Sequence, residues 1–270
     1  MITSLSEETL RRIQTSLQAA AEVFRGFTLG KIEAEYKAGH DPVTEADRQI
    51  DALLRRELLR EQEGWLSEET VDDRIRLEKR RVWIVDPLDG TREFVAGIPE
   101  FCTSVAMVED GRPIAGGIYN PASNETFLGS RGSGVTYNGK PTQLSQRDRL
   151  QGAVVLASRS EVRRGEWQRF EGADFEIRPV GSVAYKLALV SAGLADATFT
   201  LVPKHEWDVA AGVALVESNG GFVTTLDQGP LLCNQRHPLL KGLIACGPRM
   251  ASELLSRLGV EPIGAKRYHP

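Results

Sequence analysis

Asp86 and Asp89 close an apolar run, Val82-Trp83-Ile84-Val85, and are followed at once by Gly90-Thr91. A buried strand that delivers two carboxylates to its end, beside a helix start, can hold divalent cations against a phosphate group. The apolar residues of the run have an ordinary folding role. The two aspartates do not, because clustered carboxylates taken out of water cost free energy unless positive charge sits between them. The same stretch also reads as a strand followed by an Asp-Pro-x-Asp-Gly turn, since all three residue types form turns.

Further acids fall where such a site would need them. Asp47 lies in a helical segment, Glu68 and Glu69 follow a short strand, and Asp208 begins a helix after Trp207. Taken singly, these are a solvated helix acid, a surface pair and a first-turn acid favoured by the helix dipole. Taken together they form an oxygen-rich set of the kind that Mg²⁺ requires. Two such ions about 3.5–4 Å apart can activate a water and stabilise a leaving oxygen in phosphoryl transfer.

The elements that must position these acids follow from periodicity. Ser4 or Ser6 is expected to cap a first helix carrying Leu10, Ile13, Leu17, Ala20, Ala21 and Phe24 at helical spacing. Lys31 to Lys37 alternates as a strand would, and Lys37 to Pro42 reads as a loop. Thr44 caps a second helix from Glu45 to about Glu61, and Trp65 to Glu69 forms a short strand ending in carboxylates. Thr91 to Ala96 is a short helix, and Thr103–Glu109, Pro113–Tyr119 and Glu125–Gly129 are strands of a mostly antiparallel sheet. Asp110-Gly111 is a hairpin turn between the first two. Beyond Leu150, strands at Ala153–Ala157, Phe175–Val180, Ala195–Leu201, Phe222–Thr224 and Leu243–Ala245 alternate with helices at Glu161–Phe170, Val183–Ala192, Trp207–Ser218 and Ala251–Leu258. That alternation argues for a second α/β layer system. The polar stretch Ser145 to Arg149 suggests a division into an N-terminal α+β half, 1–148, and a C-terminal α/β half, 149–270, which contributes Asp208.

Composition narrows the function classes. A chain of 270 residues, 41% hydrophobic and 26% charged, is of soluble globular type. A net charge of −4 argues against a nucleic-acid polymer as partner. It leaves room for a phosphorylated small molecule, because bound Mg²⁺ reverses the local sign. No apolar run approaches the ~20 residues of a membrane span. The start Met1 to Glu8 lacks a basic segment and an apolar core, so a cytoplasmic location is expected. Cys102, Cys233 and Cys246 are expected as buried thiols, not as a disulfide framework or zinc site.

Three motifs resemble the inositol-monophosphatase superfamily of Mg²⁺-dependent, lithium-sensitive phosphomonoesterases. They are Asp41-x-Val43-Thr44-x-x-Asp47; Glu68-Glu69 with Trp83-x-Val85-Asp86-Pro87-Leu88-Asp89-Gly90-Thr91; and Trp207-Asp208-Val209-Ala210-Ala211-Gly212 leading to Gly220-Gly221. They span most of the chain in the family's order. The resemblance implies the sugar-phosphatase fold, an α+β / α/β layered sandwich with alternating αβαβα layers. It implies two to three Mg²⁺ ions, with Mn²⁺ able to substitute, Li⁺ inhibitory, and a homodimer. Glu68, Asp86 and the Leu88 carbonyl would bind the first metal, Asp86, Asp89 and Asp208 the second, and Glu68 a weaker third. Thr91, held by Asp47, would orient and deprotonate the attacking water, while the Gly90 and Thr91 N–H groups grip phosphate oxygens. Lys37 would lie over the third metal.

Substrate identity is read from departures. Inositol phosphatases carry a carboxylate shortly before Trp-Asp, where this chain has Thr198 to Pro203. Arg92-Glu93-Phe94, Glu100-Phe101, Pro203 and Gly181-Ser182 with Tyr185-Lys186 resemble the bisphosphate-nucleotidase branch. The expected activity is therefore 3′(2′),5′-bisphosphate nucleotidase, converting 3′-phosphoadenosine 5′-phosphate to AMP, with Gly181, Ser182, Lys186 and Lys204 among the substrate contacts. The alternative is inositol-1-monophosphatase or a fructose-1,6-bisphosphatase-like sugar phosphatase. A haloacid-dehalogenase-type phosphatase wants one residue between its aspartates, where two stand here. A non-catalytic scaffold would have lost a metal carboxylate or Thr91. His205, near Trp207, is a further candidate for lining the pocket.

Overall fold

The computed structural model describes residues 2–36, 42–229 and 231–260. Two helices open the chain, α1 (Ile2–Phe24) and α2 (Glu45–Leu58), with the hairpin strands β1 (Ala34–Tyr36) and β2 (Pro42–Thr44) between them. Ile13, Leu17, Ala20 and Phe24 of α1 and Ile50, Leu54 and Leu58 of α2 are buried. Their three- and four-residue spacing puts each set on one helix face. These faces cover a seven-stranded sheet in the order β3 (Glu63–Ser67), β4 (Arg81–Asp89), β5 (Cys102–Glu109), β6 (Arg112–Asn120), β7 (Glu125–Ser130), β8 (Gly134–Tyr137) and β9 (Lys140–Pro141). Only the β3–β4 pair is parallel. The short helix α3 (Thr91–Ala96) follows β4 directly.

The second sheet contains β10 (Val154–Ser158), β11 (Glu176–Val180), β12 (Ala197–Thr200), β14 (Phe222–Thr224) and β16 (Leu243–Cys246), ordered β11-β10-β12-β16-β14. A small ladder pairs β13 (Lys204–His205) with β15 (Leu239–Leu240). Of the helices α4 (Arg159–Arg163), α5 (Val183–Ser191), α6 (Glu206–Ser218) and α7 (Ala251–Leu258), α5 and α6 lie between the two sheets. Met250 and Leu254, Leu255 of α7 pack with Trp167 and Phe170 on the far face of the second sheet. The result is an alternating αβαβα sandwich. Close contact fixes α6: a Cβ on Gly116 would lie 2.4 Å from the Ala211 backbone carbonyl oxygen, and one on Gly212 2.3 Å from the Leu187 side-chain Cβ. Asp208 rides on a helix with almost no freedom to shift.

Several expectations need correction. Helix α1 begins at Ile2, so Ser4 and Ser6 lie inside it, and Ser6 Oγ instead meets Ser130 Oγ at 2.6 Å. The expected helix Glu161–Phe170 divides into α4 and a 3₁₀ turn at Gln168–Phe170, because Gly165 adopts φ 80° between them. α2 stops at Leu58, short of Glu61. Strands β8, β9, β13 and β15 were not legible in the sequence. The calls on Lys37 and Asp41 lie outside the described residues. The three cysteines are buried and free, and no described helix is long and apolar enough to cross a membrane.

Candidate active site

Asp86 and Asp89 are separated by an odd number of steps, so in a regular strand they would face opposite sides of the sheet. β4 breaks register here: Asp86 pairs with Ser104 and Asp89 with Cys102, three steps against two. The extra residue turns both carboxylates into one cleft. That cleft, of about 370 Å³, is lined by Glu68, Asp86, Leu88, Asp89, the first turn of α3, Ser158 to Ser160 with Arg163 and Arg164, Gly181 to Val183, Lys186, and Pro203 to Asp208 with the exception of Glu206. It therefore lies where the ends of both sheets and the starts of α3, α5 and α6 meet.

One carboxylate oxygen from each of Glu68, Asp86 and Asp208 lies within 4.8 Å of the other two. Burial, then the charges of Glu68, Asp89 and Asp208, holds the Asp86 carboxyl well above the usual carboxylate range. Burial likewise raises Asp208, with Asp89 and Glu68 adding to it and Lys204 opposing. Crowded hard-oxygen donors that resist bearing charge side by side fit a divalent cation such as Mg²⁺. Asp89 lines the same cleft but is held differently: its Oδ2 accepts from Ser182 Oγ and from the Ala184 N–H, both at 2.7 Å. It caps α5, and it stands outside the three-carboxylate group.

Asp47 and Thr91 meet, as the family resemblance implies. Asp47 Oδ2 accepts from the Thr44 N–H at 2.7 Å and Thr44 Oγ1 at 2.6 Å, while Oδ1 accepts from Thr91 Oγ1 at 3.2 Å. Burial raises the Asp47 carboxyl, and the bonds from Thr44 and Thr91 pull it back. Thr91 Oγ1 also lies 3.0 Å from the Leu88 carbonyl, the oxygen expected to face a metal. Gly90 adopts φ 95°, and a Cβ there would come within 3.0 Å of the Glu100 carbonyl oxygen. Glycine thus permits the tight step from β4 into α3.

On the α5 side, Ser182 holds φ 52°, a strained setting for a residue with a Cβ. It is pinned by its bond to Asp89, by the Tyr185 N–H donating to its Oγ at 2.9 Å, and by Lys186 Nζ donating to its carbonyl at 2.8 Å. The Gly181 N–H donates to Glu100 Oε2 at 2.7 Å. Lys186 is buried, and burial brings its ammonium down to about 8. Lys204 Nζ lies 3.9 Å from the buried carboxylate of Glu161. The His205 ring stacks on Trp207 at 4.3 Å, and the His205 backbone N–H donates to Asp208 Oδ2 at 2.9 Å.

The family model described as the inositol monophosphatase family matches residues 5–259. The chain belongs to the inositol monophosphatase family. It is accordingly a phosphatase, a hydrolase of phosphoric monoesters. It is 31% identical over 264 residues to an inositol-1-monophosphatase of Rhizobium meliloti (strain 1021), covering 94% of this chain and 96% of that one. A fructose-1,6-bisphosphatase/inositol-1-monophosphatase of Thermotoga maritima is 35% identical over 200 residues, 72% of this chain and 76% of the relative. A solved IMPase structure from Thermotoga maritima superposes with a TM-score of 0.78 at 29% identity, covering 91% of this chain and 94% of that one. The family is Mg²⁺-dependent, which suits the acidic group found here.

The arginines of the cleft were the part the sequence reading missed. Arg159, Arg163 and Arg164, on or just after α4, line the cleft. Arg159 Nη2 donates to Glu100 Oε2 at 2.5 Å, and Arg164 pairs with Glu166 at 2.6 Å. Their only sequence signal was three arginines in six residues at the end of a strand, which a solvated helix face produces equally well.

Proposed function

We propose that the chain hydrolyses the phosphate monoester of a polyol or sugar by direct attack of water, without a phosphoenzyme. The convergence of Glu68, Asp86 and Asp208 beside the Asp47–Thr91 pair carries this reading. Glu68, Asp86 and the Leu88 carbonyl would hold one Mg²⁺, Asp86, Asp89 and Asp208 a second, and Glu68 a weaker third. When bound, Mg²⁺ supplies positive charge that lowers the pKa of water and neutralises charge on the phosphoryl group. Thr91 Oγ1 orients the water and takes its proton while passing its own to Asp47 Oδ1. The burial that raises the Asp47 carboxyl makes it a better proton acceptor. The Gly90 and Thr91 N–H groups grip the phosphate. Mn²⁺ substituting for Mg²⁺, Li⁺ inhibiting, a cytoplasmic homodimer and the two-half domain division belong to the same proposal.

The names of the relatives move the substrate order away from the nucleotidase expected from the sequence and towards inositol or sugar phosphates. Glu93 lines the cleft and is half-buried, with burial raising its carboxyl. It is the acid we assign to polyol hydroxyls in place of the one missing before Trp207. A second reading keeps the bisphosphate nucleotide, favoured by the wall of Arg159, Arg163, Arg164 and Lys204. Phosphate release with Mg²⁺ from inositol 1-phosphate, fructose 1,6-bisphosphate and 3′-phosphoadenosine 5′-phosphate, ranked by kcat/KM, tests the order. A nucleotide preference of about a hundredfold, ~2.7 kcal/mol, would reverse it. No release from any of the three would count against the site assignment itself.

A further inference from the structure

Glu68 leaves the end of β3 on a bend, where no strand ladder fixes it. α2 reaches both sides of this bend. Asp51 lies one helical turn beyond Asp47, so the two carboxylates leave the same face of that helix. Asp51 Oδ1 accepts from Ser67 Oγ at 2.5 Å, and Oδ2 accepts from Thr70 Oγ1 at 2.7 Å. The two hydroxyls bracket Glu68-Glu69. Each is engaged a second time: Ser67 Oγ accepts from the Glu69 N–H at 3.4 Å, and Thr70 Oγ1 from Trp65 Nε1 at 3.3 Å.

We infer that Asp51 is the positioning residue for Glu68, clamping both sides of the bend so that the Glu68 carboxylate is presented to the divalent cation. One helix face then serves two parts of the site, Asp47 setting Thr91 and Asp51 setting Glu68. The inference rests on the reading of Glu68 as a cation ligand. Groups that orient metal ligands commonly matter ten- to a hundredfold in metal affinity, roughly. Asp51 touches neither substrate nor cation in this scheme, so its effect must appear in cation binding before it appears in turnover.

The test titrates Mg²⁺ calorimetrically into the metal-free full chain, as wild type, Asp51→Ala and Thr70→Val, with the Mg²⁺-induced rise in Tm followed in parallel. Asp51→Ala is expected to weaken the Mg²⁺ Kd roughly ten- to a hundredfold, and Thr70→Val, which removes one arm of the clamp, by less. A tie that only stabilises the fold would lower the chelated Tm and leave Kd within about twofold of wild type; that result overturns the inference. Should Asp51→Ala fail to fold, Thr70→Val decides alone, and an unchanged Kd overturns it. A wild type that binds no Mg²⁺ overturns the cation reading of Glu68 as well, which separates the two failures.

Discussion

The cleft has an acidic floor and a basic wall, and the two are built in opposite ways. The floor comes from the ends of β3 and β4 and the start of α6, elements locked by ladder bonds, by the Gly116 and Gly212 contacts and by carboxylates of α2 that accept from Thr91, Ser67 and Thr70. The wall comes from the five-residue α4, the turn after it and the two-residue β13. Floor groups repel one another, and their crowding suits a cation between them. Wall groups are already neutralised in part, Arg159 by Glu100, Arg164 by Glu166 and Lys204 by Glu161. The difference suggests a division of labour in which the floor sets the chemistry common to the family and the wall selects what the phosphate is attached to.

The largest effect should come from the floor. Asp86→Asn keeps an oxygen to accept the Leu88 N–H bond, which runs to Asp86 Oδ1 at 3.0 Å. Turnover should fall by at least about a thousandfold, because the phosphoryl charge loses its cation clamp. Stability should move the other way. Asp86 titrates higher in the fold than in the unfolded chain, so the metal-free protein loses stability as pH rises through its folded value. At neutral pH in chelator, the asparagine variant should therefore melt no lower than wild type. Near-normal rates, or a markedly lower chelated Tm, would break the contrast between floor and wall.

Thr91→Val probes the same floor one step from the cation. The hydroxyl lost is the one that bonds Asp47 Oδ1, and proton transfer by such a group is worth roughly a hundredfold or more. The loss should fall on kcat with little change in Mg²⁺ affinity. A variant whose defect is cured by more Mg²⁺ would show that Thr91 serves the cation and not the water.

This contrast also explains what the sequence disclosed. Asp86 and Asp89 were legible because two carboxylates close an apolar run, whereas Glu68 and Asp208 stood out only jointly with them, since each alone has an ordinary surface or first-turn role. The break in β4 pairing that lets Asp86 and Asp89 share a cleft was not legible, since it depends on which residues of β5 stand opposite. Nor was the engagement of Asp89 with Ser182, which needs the start of α5 brought to the end of β4. Asp51 and Arg163 look like solvated helix residues in one dimension, and Gly165 ended a helix that the apolar pattern carried on to Phe170. Periodicity reports which face is buried; it does not report which polar side chain of an amphipathic helix meets another segment.

Arg163→Ala sharpens the comparison from the wall side. If the wall reads a second anionic group, KM for a bisphosphate should rise about tenfold, the worth of a charge-assisted hydrogen bond. The rate with inositol 1-phosphate should stay within about twofold of wild type by the same reasoning. Equal losses on both substrates would make Arg163 part of the common phosphate site and remove the division of labour.

The smallest effect concerns Lys186, which joins wall to floor beside Ser182. Its ammonium is brought down to about 8 by burial, against about 10.4 for a free lysine. Below pH 8 the fold therefore carries the cost of a buried charge, and that cost is relieved as pH rises from about 8 to 10.4. Lys186→Met removes the charge, on the order of 3 kcal/mol. It also removes the Nζ hydrogen bonds to the carbonyls of Val180 and Ser182, at 3.3 and 2.8 Å, worth about 1 kcal/mol or more each, although the Ser182 carbonyl keeps the backbone N–H of residue 186 at 3.4 Å. The two terms nearly offset, so the Tm difference at pH 7 should be a few degrees in the variant's favour at most. The informative quantity is the slope: wild type should gain on the variant steadily from pH 8 to pH 10. A difference that stays constant across that range would mean the ammonium is held by the floor carboxylates after all, and that floor and wall are one electrostatic unit.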